Sequence, residues 1–315
     1  MNLTRVSAAA LTATLWLAAA PVMAQQQLGH KVLGGVGFDA GTQSEPGFYI
    51  LNRFAYYQVD EVVDRQGNAL PIPGLDASAY ANVFGLVYTL KPRGLPYLTI
   101  AAGFPISRVS VNTDLPPVSM DHSGFGDLFV QPLKVGVRLP RFDIVTLYTF
   151  YAPTGKFEPR RASVGRGFWT HQFSAGGAAY FNRQRTSRAS LLASYDINLR
   201  KRDIDITRGN TFQLQGGAGI GLLRVATVGI AGYAMWQVTD DHGADVPPPL
   251  RGRRSRLFGL GPELAFVVPA LRSRFNARYE TDFGARARIK GNILVLSVAI
   301  NAWSPARPGG EVLGR

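Results

Sequence analysis

The chain carries four histidines, His30, His122, His171 and His242, and no cysteine, so nucleophilic and metal chemistry have few residues to work with. Asp121-His122-Ser123 is the one place where an acid, a base and a hydroxyl adjoin. Side chains adjacent in sequence seldom orient as a nucleophile and its base, so an outer-membrane lipid hydrolase is a lesser alternative. His171 shares a strand face with Trp169 and Phe173 and reads as a rim residue. VTDDHGAD (238 to 245) offers Asp240, Asp241 and Asp245 to calcium without EF-hand spacing, and reads as a solvated acidic loop. APTGK (152 to 156) lacks the upstream glycine of a phosphate loop, and GVGFDA (35 to 40) lacks the strand and helix of a dinucleotide site. Both read as turns. No catalytic residue, cofactor or metal is expected.

The charges that do form a pattern lie in LRSRFNARYETDFG, residues 271 to 284. Arg272, Arg274, Asn276, Arg278, Glu280 and Asp282 alternate with Leu271, Ser273, Phe275, Ala277, Tyr279, Thr281 and Phe283. A period of two makes two faces only in an extended strand. A two-residue turn at Pro269-Ala270 would place Glu263 opposite Asn276 and diagonally within reach of Arg274 and Arg278. Asp196, on the polar face of RASLLASYDINL, belongs to the same interior set; Leu192 is the one apolar residue to break that face.

What positions such a face is a set of strands. No stretch sustains a helical period, and twelve strand-like runs follow one another, near 47 to 59, 80 to 90, 96 to 104, 124 to 139, 142 to 152, 168 to 182, 188 to 199, 210 to 222, 225 to 238, 254 to 268, 271 to 283 and 291 to 303. Connections after even-numbered runs are short: KPRG, PR, NRQRTS, LR and PA. Those after odd-numbered runs are mostly long, including 60 to 79, 105 to 123, 153 to 167 and 239 to 253. Most runs reach the ~9 to 11 residues a tilted strand needs to cross hydrocarbon. Tyr56, Tyr57, Phe150, Tyr151, Phe168, Trp169, Trp236, Phe283 and Trp303 gather at run ends, as interfacial girdles require. The pattern is that of an all-β, twelve-stranded antiparallel up-and-down transmembrane barrel of the outer membrane. Pro132, in QPLKV, marks a bulge.

The beginning of the chain agrees. Arg5, the apolar run Ala8 to Ala20 and Val22-Met23-Ala24 have the form of a signal peptide over residues 1 to 24, too short to span a bilayer. With 34 Lys and Arg against 21 Asp and Glu the net charge is +13, which could suggest nucleic acid. Export, and the scatter of the arginines through strands and loops, argue against that partner. Without cysteine, no disulfide holds the exported chain together.

Several blocks resemble the outer-membrane family described as the phenol-degradation meta-pathway transporter. They are GFYILNRFAYYQVDEVVDRQGNAL, SGFGDLFVQPLKVGVRL, FYAPTGKFEP, GFWTHQFSAGGAAYF, SYDINLRKRDIDITRGNTFQLQGG, VGIAGYAMWQVTDD, LFGLGPELAF and YETDFGARARIKGN, spread over residues 47 to 303. The resemblance implies an outer-membrane barrel of a Gram-negative bacterium that admits small hydrophobic or aromatic compounds, and it transfers no catalytic residue. Two stretches depart from it. Residues 25 to 46 read as a disordered periplasmic terminus or, alternatively, as a plug of the lumen; residues 304 to 315 extend past Trp303, where such barrels commonly end on an aromatic residue read by the barrel assembly machinery.

The expected function is passive uptake of small apolar or aromatic solutes, with a non-transport structural barrel as the alternative. Asp196, Glu263, Arg272, Arg274, Asn276, Arg278, Glu280 and Asp282 are expected to line the lumen. Arg160 and Arg161 in RRASVGR, and Arg251, Arg253 and Arg254 in RGRRSR, are expected to meet lipopolysaccharide phosphates among the outer-membrane lipids. Ser163 should then lie outside the cell and Ser187 at the periplasmic end.

Overall fold

The computed structural model describes residues 29–30, 33–115, 117–159, 163–222, 225–248 and 251–305. The signal-peptide reading, most of the tail, and the expected lipid contacts Arg160 and Arg161 lie outside these residues. The strands are β1 (Gly47–Val63), β2 (Asp76–Leu90), β3 (Tyr97–Thr113), β4 (Val118–Phe125), β5 (Leu128–Arg138), β6 (Phe142–Ala152), β7 (Thr170–Tyr180), β8 (Arg188–Asn198), β9 (Thr211–Leu222), β10 (Ala226–Gln237), β11 (Arg256–Val268), β12 (Ser273–Arg286) and β13 (Arg288–Trp303).

Each strand pairs antiparallel with its neighbours, and β1 joins β13 over nearly its whole length, which closes the sheet. β4 and β5 share one place in the ring: β3 pairs β5 through Tyr97–Gly103 and β4 through Ile106–Thr113. The result is a closed twelve-stranded barrel whose fourth staff is broken at Gly126-Asp127. Among the described strands β4 pairs only β3.

The segment 105 to 123, expected to be a loop, is instead β-structure, in which the end of β3 pairs with β2 on one side and β4 on the other. Its apolar signal is weak because Ser107, Arg108, Ser110, Asn112, Ser119 and Asp121 interrupt the alternation, although Val111 packs on Val59, Ala77 and Ile289. Its cross-strand contacts hold it, with Arg108 Nε donating to Asp121 Oδ1 at 2.7 Å. The expected bulge is present at Gln131-Pro132, where the register shifts against β6.

The faces are those of a membrane barrel rather than a soluble one. Ile100, Ile144, Phe173, Ile220, Ile230 and Leu264 point outward and are exposed, whereas Ser174, Ser194, Asp196, Gln213, Gln215 and Glu263 point inward and are buried. Phe212, Trp236, Phe258 and Phe283 form a continuous ring-to-ring chain at 6.0, 5.4 and 5.7 Å along the long-loop end. At the short-turn end Phe266 stacks on Phe275 at 5.0 Å. Two aromatic belts thus bound an apolar band.

One connection is longer than its sequence suggests. Pro269–Leu271 forms a 3-10 turn, and Arg272 follows in the left-handed region at φ 49°. The two extra residues shift the register, so Glu263 faces Arg278 and Ala265 faces Asn276. The same turn takes Arg272 out of the strand, where it is exposed at the barrel end instead of lining the lumen.

Candidate functional site

Residues 33 to 46 do not trail from the barrel; they run through its interior, and the wall is shaped for them. The turn in GVGFDA closes with Ala40 N donating to Gly37 O at 2.9 Å. Beside it Phe38 is wholly buried against the glycine run of β9. A Cβ on Gly217 or Gly219 would come within 3.0 and 2.8 Å of the Phe38 ring, so only glycine leaves that hollow. Ala40 packs with Val145 and Leu192, which explains the apolar interruption of the polar face of β8. Gly41, at φ 64°, crosses so close to the Gly177 backbone that it has no room for a side chain, while at Gly177 the Asp143 carbonyl would block one.

Polar contacts fix the segment along its length. Phe38 N donates to Glu263 Oε2 at 2.8 Å, and Arg278 donates to Gly34 O. Asp39 lies 3.3 Å from Arg188 and 3.2 Å from Arg274. Nearer the short-turn end Gln43 N donates to Asp143 Oδ2 at 3.0 Å, Lys134 Nζ donates to Thr42 O at 2.7 Å, and Arg138 pairs with Glu45. Asp143 also accepts from Tyr180 Oη at 2.8 Å and pairs with Arg185.

At the long-loop end the segment is tied by His30. Its Nε2 lies 3.0 Å from Asp127 Oδ2 and its Nδ1 2.8 Å from Thr170 Oγ1, with the ring stacked 5.1 Å from Tyr151. Asp127, at the break between β4 and β5, also accepts Gly155 N at 2.8 Å and Arg166 N at 2.6 Å. One carboxylate therefore joins the interior segment, the strand break and an inward-folded loop. Burial opposes the charge of Asp127, but His30 and the backbone donors outweigh it and hold the carboxyl below its ordinary range. Burial pushes the His30 imidazole down despite Asp127.

Of the residues expected inside, all but Arg272 are there, though they meet the segment and one another rather than an open channel. Arg278 is buried between Glu263, at 3.1 Å, and Glu280, at 3.4 Å. Asn276 Nδ2 donates to Glu263 Oε1 at 3.0 Å. Asp282 accepts from Tyr57 Oη at 2.5 Å, from Tyr233 and from Gly291 N at 3.0 Å. Asp196 takes Gln172, Thr211 and Gln213 at 2.6, 3.0 and 2.6 Å.

His122 and Ser123 are successive residues of β4 and so point to opposite faces, while Asp121 is engaged by Arg108. His171 faces outward with its Nδ1 2.7 Å from Tyr148 Oη. The loop aspartates are used separately: Asp240 by Arg254 at 2.8 Å, Asp241 by Gly209 N at 2.8 Å, Asp245 by Asp205 N at 2.7 Å. Arg251 and Arg254 are exposed, and Arg253 is half-buried. Ser163 is buried in the inward-folded loop, so it is no marker of the outer surface.

The chain matches, over residues 59–298, the family model described as "Putative MetA-pathway of phenol degradation". Its structure is similar to that of the COG4313 outer membrane channel from Pseudomonas putida F1, at 14% identity over 83% of this chain and 97% of that one, with a TM-score of 0.72. It is similar also to the transport unit of the autotransporter AIDA-I from Escherichia coli, at 10% identity over 91% of this chain and 97% of that one, with a TM-score of 0.51. No curated protein sequence matches it.

Proposed function

Because the chain belongs to the MetA-pathway phenol-degradation family, we propose that it is a passive outer-membrane channel for small hydrophobic or aromatic compounds, closed at rest by its own N-terminal segment. The observation that carries this reading is the polar, water-compatible interior of the barrel, crossed by a peptide tethered at one end to β1 and at the other to Asp127. A wall that only had to be filled could be filled by wall side chains. Here glycines hold space open for a segment that can leave. Uptake of small aromatic solutes down a gradient needs nothing further.

The filled interior also suits a purely structural barrel, and conductance separates the two. The refolded full chain in a planar bilayer should pass small, infrequent currents, and a chain lacking residues 29 to 45 should pass currents several-fold larger. If both remain heat-modifiable barrels and neither conducts nor swells liposomes, the structural reading takes over. With the long loops outside, Arg251, Arg253 and Arg254 face the phosphates of the outer leaflet. A cysteine at the exposed Gln66 should label on intact cells and one at the exposed Gln184 should not; the reverse would invert the barrel.

A further inference from the structure

We propose that the long-loop end of the interior holds a binding site for the carboxylate of a small organic acid, built from Arg166, Lys201, Arg208 and Arg288. This names a substrate class for the channel and rests on that reading. Arg166 comes from the loop before β7, Lys201 and Arg208 from the loop between β8 and β9, and Arg288 from the first residue of β13. Three of the four side chains, Lys201, Arg208 and Arg288, belong to residues no more than 6% exposed.

The four charges act on one another. Arg208 is within electrostatic reach of Arg288 and Arg166, Lys201 of Arg166 and Arg208, and Arg166 of Arg288, with Asp241, Asp196, Asp127 and Asp282 offsetting part of that repulsion from a distance. Among the described residues none of the four forms an ion pair with a carboxylate. The neighbouring acids are already satisfied by uncharged donors: Asp127 by His30 and two backbone amides, Asp241 by Gly209 N and Gln237, Asp282 by two tyrosines and Gly291 N. Arg208 and Arg288 each keep a buried Nε with no hydrogen-bond partner. Arg288 Nη1 has the Met235 thioether at 3.9 Å.

Buried cations without a direct ion-pair partner are costly, and costlier when they repel one another. Burial, with Arg166 and Arg208 beside it, pulls Lys201 down to about 8. Such an arrangement is stable when an anion enters it, because each guanidinium then gains a charge-assisted hydrogen bond. Rings flank the place: Phe157 and Phe168 have the Lys201 ammonium 5.4 and 5.8 Å from their centres, and His30 lies on Tyr151 close by. Apolar walls beside a cationic floor fit an acid that carries a ring better than a bare oxyanion.

The test is calorimetric titration of the refolded full-length protein in micelles with benzoate, benzyl alcohol or inorganic phosphate. Benzoate should bind, and both others should bind at least tenfold more weakly. Joint replacement R208Q and R288Q should weaken benzoate at least tenfold, while R254Q, in an exposed loop, should not. Should the double variant fail to give a heat-modifiable barrel, Lys201→Met alone should lower benzoate affinity severalfold. Unchanged affinity in folded variants overturns the site. Equal binding of benzyl alcohol reduces it to a ring pocket, and equal binding of phosphate to a general anion trap; either overturns the assignment to an organic acid. Benzoate binding that needs Arg208 and Arg288 in a barrel that passes no current would keep the site and remove the channel. Current without benzoate binding would do the opposite.

Discussion

The two halves of the barrel interior both carry buried charges and use them differently. Toward the short turns most clusters are ion-paired: Asp39 sits between Arg188 and Arg274, Arg278 between Glu263 and Glu280, and Asp143 beside Arg185, while Lys134 is held by the Thr42 carbonyl and Arg53 keeps a buried Nε without a partner. The interior segment makes one of these matches through Asp39 and a further one through Glu45, which pairs with Arg138. Toward the long loops the segment brings His30, and among the described residues Arg166, Lys201, Arg208 and Arg288 form no ion pair, with a buried Nε of Arg208 and of Arg288 left without a partner. A matched interior is a structural device and an unmatched one invites a ligand. The segment is thus complementary to half of the lumen only.

Removing a cation from each half should expose this difference most visibly. Arg278→Ala leaves Glu263 and Glu280 buried without their counter-charge, and the loss of a buried partner costs about 3 to 5 kcal/mol, read as denaturant unfolding of the refolded barrel. Arg208→Gln should cost nothing measurable in the same assay, because it relieves repulsion. Equal losses at both sites would mean that the upper cations are structural too.

The next effect compares the inside with the outside of one strand. Ala277 adjoins Arg278 but faces lipid between the exposed Leu264 and Leu296. Ala277→Arg should cost ~2 to 4 kcal/mol and impair insertion, as a cation near mid-membrane does. Normal insertion of Ala277→Arg would reverse the faces. Asp39→Asn is milder, since its side chain is 42% exposed: about 1 kcal/mol or less, with higher conductance as the segment loosens.

The wall was legible in the sequence because lipid imposes a strict period of two on it. Where that constraint ends, legibility ends: polar residues interrupt the alternation in the ribbon of β3 and β4, and the Pro269 turn hides its length in a left-handed Arg272. The interior segment left a different kind of signal. Leu192 on a polar face, and glycines at 217 and 219, are its imprint on the wall. Read in one strand at a time they look like exceptions, and only the partner across the lumen makes them a rule. Asp127 and Asp143 were missed for the same reason, since they satisfy backbone groups 28, 39 and 100 residues away in ways no spacing records.

The smallest effect concerns pH at the segment's upper tie. His30 is held below its ordinary 6.5 in the docked state, chiefly by burial, although Asp127 pulls the other way. The docked segment therefore binds fewer protons than a released one. By linkage, docking is fully favoured above about pH 6.5 and weakens as pH falls through the docked-state value. Asp127, itself held low, stays ionised through that window and does not titrate with it. Conductance of the full chain should rise modestly between about pH 7.5 and about pH 5, and His30→Gln should remove most of that response. A response of the same size in His30→Gln would place the titrating group elsewhere. A fall in conductance on acidification would mean that protonated His30 binds Asp127 more tightly than the neutral ring does, and that burial loses to the ion pair.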